Sequence, residues 1–121
     1  MTALDVGKKL VDLCRKGKND EAIEQFYAKD IVSIEAGAPP GMDKKTEGKE
    51  KVKAKSKWWA ENHEVHSAEI VGPFPNDDKF TTLYKIDVTF KPEKKRFKME
   101  EICLYTVKNG QIVREEFFYT M

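Results

Sequence analysis

The sequence has few residues of the kinds that build metal centres, disulfide frameworks or membrane spans. Only two of its 121 residues are cysteines and only two are histidines, and Cys14 and Cys103 are too far apart for a paired metal-binding motif. We expect both cysteines to be buried thiols, and we predict no metal and no other cofactor. The apolar runs are a few residues long, against the ~20 needed to cross a bilayer, and the N-terminus has no signal-like segment.

The chain also lacks an excess of charge of either sign. Its 22 Lys and Arg residues oppose 21 Asp and Glu residues, so no global field attracts nucleic acid or an anionic membrane. The lysines between residues 44 and 57 are spread around a helical pattern and diluted by acids, which is typical of a solvated face. We therefore predict a single cytoplasmic domain over residues 1–121, with no nucleic-acid or membrane partner.

Helical patterns dominate the first half of the chain. Apolar spacing predicts helices over residues 3–17, with Thr2 as the N-cap and Gly17 as the end, and over residues 20–27 and 48–61. A short β-rich segment, residues 31–35, precedes a Gly/Pro loop over residues 36–48, which is a candidate lid over a binding site.

The second half of the chain predicts a meander of strands. Strand patterns cover residues 65–71, 79–90, 96–107 and 111–119, and the Asn109–Gly110 pair between the last two is a strong hairpin signal. Helices followed by an antiparallel meander define an α+β fold with the helices packed on one face of the sheet.

The last strands are apolar on both faces. Alternation in residues 79–90 directs one set of side chains towards the helices, namely Phe80, Thr82, Tyr84, Ile86, Val88 and Phe90. On the opposite face, apolar side chains also follow one another, and a second copy of the chain is the simplest cover for them. We therefore predict a homodimer through an outer patch made of Ile102, Leu104, Ile112 and Phe118.

Three phrases carry a resemblance to a known family. They are FYAKDIVSIEA, EGKEKVKAKSKWWAENHEVHSAEIVGPFP and EEICLYTVKNGQIVREEFFYTM, and with the order of elements they resemble SnoaL-like members of the nuclear-transport-factor-2-like superfamily over essentially the whole chain. The resemblance implies a curved antiparallel sheet wrapped around helices to form a cone-shaped pocket. It does not imply one activity, because the family includes cyclases, isomerases, dehydratases, epoxide hydrolases and binding proteins.

Ketosteroid isomerase, a relative by fold, provides a check residue by residue through its similarity to residues 27–36. The comparison implies a catalytic base at Glu35, and it aligns the two oxyanion donors of that enzyme with Leu10 and Cys103. Neither of these side chains donates the strong hydrogen bond that an enolate needs, so that particular chemistry is disfavoured. The comparison also implies which side chains face inward, namely Glu101, Cys103, Tyr105, Glu115, Phe117 and Tyr119.

Four residues are candidates for acid/base chemistry. Glu101 and Glu115 occupy inward positions on neighbouring strands, where a shared proton would supply an acid and a base, and Glu115 lies among apolar neighbours that favour a neutral carboxyl. The alternative is that they lie at a rim and pair with Lys98, Arg114 or the lysine-rich helix. His66, within a strand, is preferred to His63 as an inward partner, together with Glu35, although a structural or exposed histidine is the alternative.

Aromatic residues from the helices and strands converge on the predicted pocket. Such a set lines an apolar pocket with a few polar tips, or it simply forms core. We therefore weigh three functions: an acid/base enzyme acting on a small apolar carbonyl or hydroxyl compound, a ligand-binding module without catalysis, and a structural dimerisation domain. The predicted lining residues are Tyr27, Trp59, Tyr84, Cys103, Tyr105, Phe117 and Tyr119.

Overall fold

The computed structural model describes residues 1–38 and 41–120, which form three helices and six strands. The helices are α1 (Ala3–Arg15), α2 (Asn19–Phe26) and α3 (Lys49–Asn62). The strands are β1 (Tyr27–Ile34), β2 (Lys45–Glu47), β3 (His63–Asn76), β4 (Lys79–Phe90), β5 (Lys95–Lys108) and β6 (Gln111–Phe118), and a single 3₁₀ turn, Lys91–Glu93, joins β4 to β5.

The strands form one curved, open sheet in the order β2-β1-β6-β5-β4-β3. The predicted α+β class is confirmed, and the helices pack on the inner face of the sheet. One pair, β1 with β6, is parallel, whereas the other neighbours are antiparallel. The parallel pair joins the first strand of the chain to the last, so residues more than 80 positions apart become neighbours.

Local signals set the ends of α1 as the sequence predicts. Thr2 and Asp5 form a capping box, in which the Asp5 backbone N–H donates to the Thr2 hydroxyl at 3.2 Å and the Thr2 backbone N–H donates to the Asp5 carboxylate at 3.0 Å. The chain then leaves the helix through Gly17, whose φ of +72° is a left-handed conformation that glycine adopts without strain. No helix in the described ranges is both long and apolar enough to cross a membrane.

The core lies between α1, α2 and the inner face of the sheet. On β4, Phe80, Thr82 and Val88 of the predicted inward set are buried and Tyr84, Ile86 and Phe90 are partly buried, whereas Lys85 of the opposite set is exposed. Phe80 packs in one cluster with apolar residues of both helices, including Leu10 and Ile23, and Tyr84 packs against that cluster. The core therefore fills the space between the helices and the sheet. Glu35, Lys55 and Tyr119 are only partly buried, and we call the region around them the open end of the cone.

A bulge in the last hairpin overturns one prediction about the outer face. The β5–β6 pairing shifts between Thr106 and Val107, so that Val107 pairs with Ile112 while Thr106 pairs with Arg114. The extra residue, Val113, reverses the alternation, and Ile112 is completely buried in the core instead of lying on the outer face. The outer patch is therefore Ile102, Leu104 and Phe118, without Ile112.

The loop over residues 36–48 is attached to the sheet at its C-terminal end. Its last residues form β2, a strand that the sequence did not predict, which pairs with β1 in the register Ser33–Thr46. Two backbone hydrogen bonds hold the two ends of β2 against β1. Glu35 N donates to the Lys44 oxygen at 2.9 Å, and Gly48 N donates to the Ile31 oxygen at 2.8 Å. Residues 39–40, within the candidate lid, lie outside the described residues.

Candidate functional site

Glu115 is the most deeply buried carboxyl group of the inner face. Its residue is 3% exposed on β6, and its two oxygens accept hydrogen bonds from different side chains of β1. The Tyr27 hydroxyl donates to Oε2, and the Ser33 hydroxyl donates to Oε1 at 2.8 Å. Burial raises the pKa of Glu115 above its usual range, and the two hydrogen bonds oppose that shift.

Lys55 extends this polar chain towards the open end of the cone. Its Nζ donates to Ser33 Oγ at 2.7 Å and to Glu35 Oε1 at 2.9 Å, and it lies 5.4 Å from the centre of the Phe117 ring. Helix α3 turns Lys55 inward because Val52, one turn earlier on the same face, is buried in the core. A lysine from the solvated run thus enters the site.

Glu35 is fixed through both of its carboxylate oxygens. Oε1 accepts from Lys55, and Oε2 accepts from the Tyr119 hydroxyl at 2.9 Å. Glu35 directly follows β1 and Tyr119 directly follows β6, so the parallel pairing of these strands brings their ends together. Burial, followed by the negative charge of Glu35, raises the pKa of Tyr119 to about 12, which keeps this hydroxyl a donor at neutral pH.

Glu101 is the carboxyl group that stays accessible and titrates near neutral pH. It is half-buried on β5, and its only hydrogen bond with a described side chain comes from Cys103 Sγ at 3.7 Å. Burial, and then the negative charge of Glu35, raises its pKa to about 7. Within the described residues it forms no salt bridge.

A surface depression of about 450 Å³ is lined in part by Glu101. It is open to solvent, and Glu101 and Tyr119 form its edge towards the inner face. The remaining wall comes from the outer face and the end of the chain: Leu83, Glu100, Ile102, Phe118 and Thr120. Most of its lining therefore belongs to the outer face of the sheet, whereas the Glu101 carboxyl lies beside Cys103 on the inner face.

The register separates the two carboxyls that the sequence placed side by side. Glu115 on β6 pairs with Tyr105 on β5. Tyr105 is four residues from Glu101, so the backbone positions of Tyr105 and Glu101 are about 13 Å apart along the strand. The expected sharing of one proton between Glu101 and Glu115 is therefore wrong. Among the described residues Glu115 also forms no ion pair of the kind considered as the alternative, since Arg114 pairs with Glu116.

The predicted aromatic lining is divided between the core and the site. Tyr27, Cys103 and Tyr105 are buried, and Tyr105 stacks on Phe80 with ring centres 4.7 Å apart. Tyr84 and Phe117 are partly buried against the same cluster, so side chains of the protein occupy much of the cone. Trp59 stacks on His63 at 4.2 Å, and of the predicted lining residues only Tyr119 borders the depression.

The preference for His66 as the inward histidine is wrong. His66 is exposed, and its Nε2 lies 2.7 Å from Thr89 Oγ1 on the polar face of β4. The prediction assumed a regular strand, but the β3–β4 pairing shifts between Val65 and Ser67, so His66 is the extra residue of a bulge. His63 is partly buried at the end of α3, where its Nδ1 lies 2.7 Å from the Trp59 carbonyl oxygen, which is a structural role.

Two residues of the site escaped the sequence analysis, Ser33 and Lys55. Helical spacing could have singled out Lys55, which lies three residues after the inward Val52 and four before Trp59. No sequence signal marked Ser33, because its place depends on the parallel pairing with β6. In the described part of the chain, no group of three or more His, Cys, Asp or Glu side chains is arranged to hold a metal ion.

A family model described as a SnoaL-like domain matches residues 1–119. The chain belongs to the SnoaL-like domain family. A solved structure from Mesorhizobium loti, described as a SnoaL-like polyketide cyclase, is 44% identical to this SnoaL-like protein, with a TM-score of 0.92 and coverage of 98% of this chain and 100% of that chain. No curated protein matches the chain.

More distant solved structures share the fold of this SnoaL-like protein. A Bacillus subtilis structure described as an isomerase is 17% identical, with a TM-score of 0.78 over 98% of this chain and 86% of that one. A Xanthomonas campestris protein of unknown function with a cystatin-like fold is 14% identical, with a TM-score of 0.80 over 100% of this chain and 92% of that one. At these identities the likeness concerns the fold alone.

Proposed function

We propose that this SnoaL-like protein is an acid/base enzyme that moves a proton at a carbon next to the carbonyl group of a small, mainly apolar molecule. The observation that carries the proposal is Glu101, a half-buried carboxyl group with a pKa of about 7 on the same inner face as the hydrogen-bonded chain of Lys55, Glu35 and Tyr119. A general base works best when its pKa lies near the operating pH. The descriptions of the Mesorhizobium loti and Bacillus subtilis proteins, a cyclase and an isomerase, are of the same chemical kind.

In this proposal Glu101 takes the proton in its ionised form and returns it in its neutral form. Loss of the proton from carbon leaves an enolate, and return of the proton to a different carbon gives an isomer. Attack by the enolate carbon on a second carbonyl carbon within the same molecule forms a ring, and the proton then goes to the resulting alkoxide. Glu35 supports the base, because its fixed negative charge raises the proton affinity of Glu101.

Glu115 has a positioning role in this scheme. It lies behind Ser33, away from the depression, and its hydrogen bonds hold Tyr27 and Ser33 in place. Ser33 in turn accepts from Lys55, so the buried carboxyl fixes the orientation of the lysine at the open end. His66 has no part in the proposal.

The proposal can be tested without knowing the substrate. We would incubate the protein with a panel of small cyclic ketones in D₂O and follow deuterium uptake at the carbon next to the carbonyl by proton NMR. The wild type should accelerate the exchange and E101Q should not, whereas E93Q, a change at the exposed turn that precedes the same strand, should behave like the wild type. Equal exchange by wild type and E101Q, or no acceleration with any ketone, would contradict the proposal.

A second candidate is a ligand-binding module without catalysis. It is favoured by the interior, where Tyr27, Cys103 and Tyr105 fill much of the space that a large substrate would need. This candidate predicts that panel compounds bind, with E101Q altering their affinity, while the exchange rate stays at its background value. If the protein is a dimerisation domain with neither catalysis nor ligand binding, no panel compound should bind.

We further propose that the protein is a cytoplasmic homodimer without nucleic-acid or membrane partners. The dimer contact would use the outer patch, since Ile102 and Phe118 are each about half exposed and are directly paired across β5 and β6. The near balance of charges supports the absence of a polyanionic partner.

A further inference from the structure

We propose that Lys55 is the residue that binds the negatively charged oxygen of the ligand, and that the ligands of this site are compounds able to present an enolate, phenolate or similar oxyanion. This inference deepens the proposed function, on which it rests, because it names the oxyanion group that the ketosteroid isomerase comparison failed to find at Leu10 and Cys103. The group comes instead from helix α3.

The position of Lys55 differs from that of its neighbours in the lysine run. Its side chain is 28% exposed, whereas that of Lys57, two residues later, is 75% exposed and lies near Glu61. Lys53 lies on the other side of the helix and pairs with Glu24 at 2.6 Å. Of these three lysines, Lys55 is the one that contacts side chains of the inner face.

The contacts of Lys55 leave one donor for a ligand. An ammonium group has three N–H donors. Among the described residues, two of them are used, by Ser33 at 2.7 Å and Glu35 at 2.9 Å. The ammonium also lies against the face of Phe117, an apolar surface on which a flat ligand would pack. A ligand oxygen that takes the third donor would therefore sit beside an aromatic ring.

A role restricted to stability does not explain this lysine well. A partly buried ion pair gains little over apolar packing, because removing both charges from water costs about as much as their attraction returns. Here the pair is also supported from behind, since Glu115 and Tyr27 fix the serine that accepts from Lys55. Such support is typical of a group that must be held in one orientation for binding.

The charges around Lys55 suit the formation of an oxyanion nearby. The positive charge of Lys55 acts on both Glu101 and Glu115 and lowers their proton affinity, so it reaches the place where the proposed base works. Removal of a proton from the ligand neutralises Glu101 and creates a negative charge on the ligand oxygen. The positive charge of Lys55 then acts on the enolate oxygen instead of on the Glu101 carboxylate. This attraction stabilises the enolate where it forms.

The probe for this proposal is a set of nitrophenols, whose ionised forms absorb visible light. The wild type should bind them mainly as phenolates, so that the bound phenol ionises at a lower pH than the free one. K55M, which keeps the length of the side chain but not its charge, should bind the phenolate about 10- to 100-fold more weakly. Binding of nitrobenzene, which cannot ionise, should be unchanged, and K57M should behave like the wild type.

A bound nitrophenol whose ionisation in the wild type is unchanged or shifted to higher pH would overturn the proposal, and so would the absence of binding at millimolar concentration. This wild-type measurement decides the matter even where K55M fails to fold. The two proposals fail separately. Loss of phenolate preference in K55M with exchange unaffected by E101Q would retain Lys55 and reject Glu101 as the base, and the reverse pattern would reject Lys55 alone.

Discussion

Ser33 donates its hydroxyl to Glu115 at 2.8 Å across the parallel β1–β6 pair, where the two residues are register partners. A buried carboxyl group is thus held by the first strand of the chain while it lies on the last. The same oxygen of Ser33 accepts from Lys55, so one hydroxyl joins the core to the open end of the site.

Replacing Glu115 should affect stability before it affects chemistry. E115A leaves the hydroxyls of Tyr27 and Ser33 without their buried partner, and we expect it to lower the free energy of unfolding by about 2–4 kcal/mol. E115Q, which resembles the neutral acid that burial favours, should stay within about 1 kcal/mol of the wild type. Urea denaturation of the three proteins checks this, and a fully stable E115A would show that the hydrogen bonds contribute nothing.

Glu101 should make stability depend on pH in a defined window. Its pKa is about 7 when folded and near 4.5 when unfolded, so between these values the folded state binds more protons. The free energy of unfolding contributed by this group therefore falls as the pH rises from about 4.5 to 7. E101Q lacks this loss and should exceed the wild type at pH 8 by on the order of 2 kcal/mol, with little difference at pH 4.

E100Q provides the control for this comparison, because Glu100 lies on the same strand and is exposed. Denaturation curves of wild type, E100Q and E101Q at both pH values should show the divergence for E101Q alone. A wild type and E101Q that differ by the same amount at both pH values would indicate that Glu101 does not change its protonation between them.

The tyrosine hydroxyls of the folded protein should stay protonated at a pH at which free tyrosine ionises. The pKa values of Tyr27, Tyr84, Tyr105 and Tyr119 are all raised, chiefly by burial, and these are all the tyrosines of the chain. We expect almost no tyrosinate absorbance from the folded protein at pH 10, and about half of the full signal in urea. Tyr119 should ionise first, near pH 12, and half-ionised tyrosines in the folded protein at pH 10 would contradict the burial of the site.

The outer patch should control association. I102D places a charge where Ile102 pairs with Phe118, and it should shift sedimentation from dimer to monomer at micromolar concentration. K91D, at the exposed turn between β4 and β5, changes the charge away from the patch and should remain dimeric. A wild type that is monomeric in the same experiment would refute the dimer.

The sequence predicted what depends on regular alternation. The bounds of β4 and its inward set, Phe80, Thr82 and Val88, follow from a period of two that no irregularity interrupts. The assumption of regular strands misplaced Ile112 and His66, because Ile112 lies next to an extra residue of β6 and His66 is the extra residue of β3, and nothing in the local sequence marks either bulge.

The sequence identified several residues of the site, but it did not predict which side chains contact each other. Glu35, Glu101 and Tyr119 were identified as inward groups, yet their partners depend on how distant strands pair. The parallel β1–β6 contact that joins Ser33 to Glu115 and Glu35 to Tyr119 is a tertiary choice, and Lys55 was concealed among lysines of the same helix that face solvent.

The pKa of Glu101 is the property on which its proposed role as the general base depends most directly. With ¹³C-labelled glutamate, the side-chain carboxyl resonance that disappears in E101Q can be assigned to this residue and followed by NMR as the pH is changed. We expect the titration curve of Glu101 to have its midpoint at about pH 7. In E35Q the midpoint should move to lower pH, because the nearby negative charge is gone. A midpoint near 4.5, unchanged in E35Q, would contradict the proposed role of Glu101.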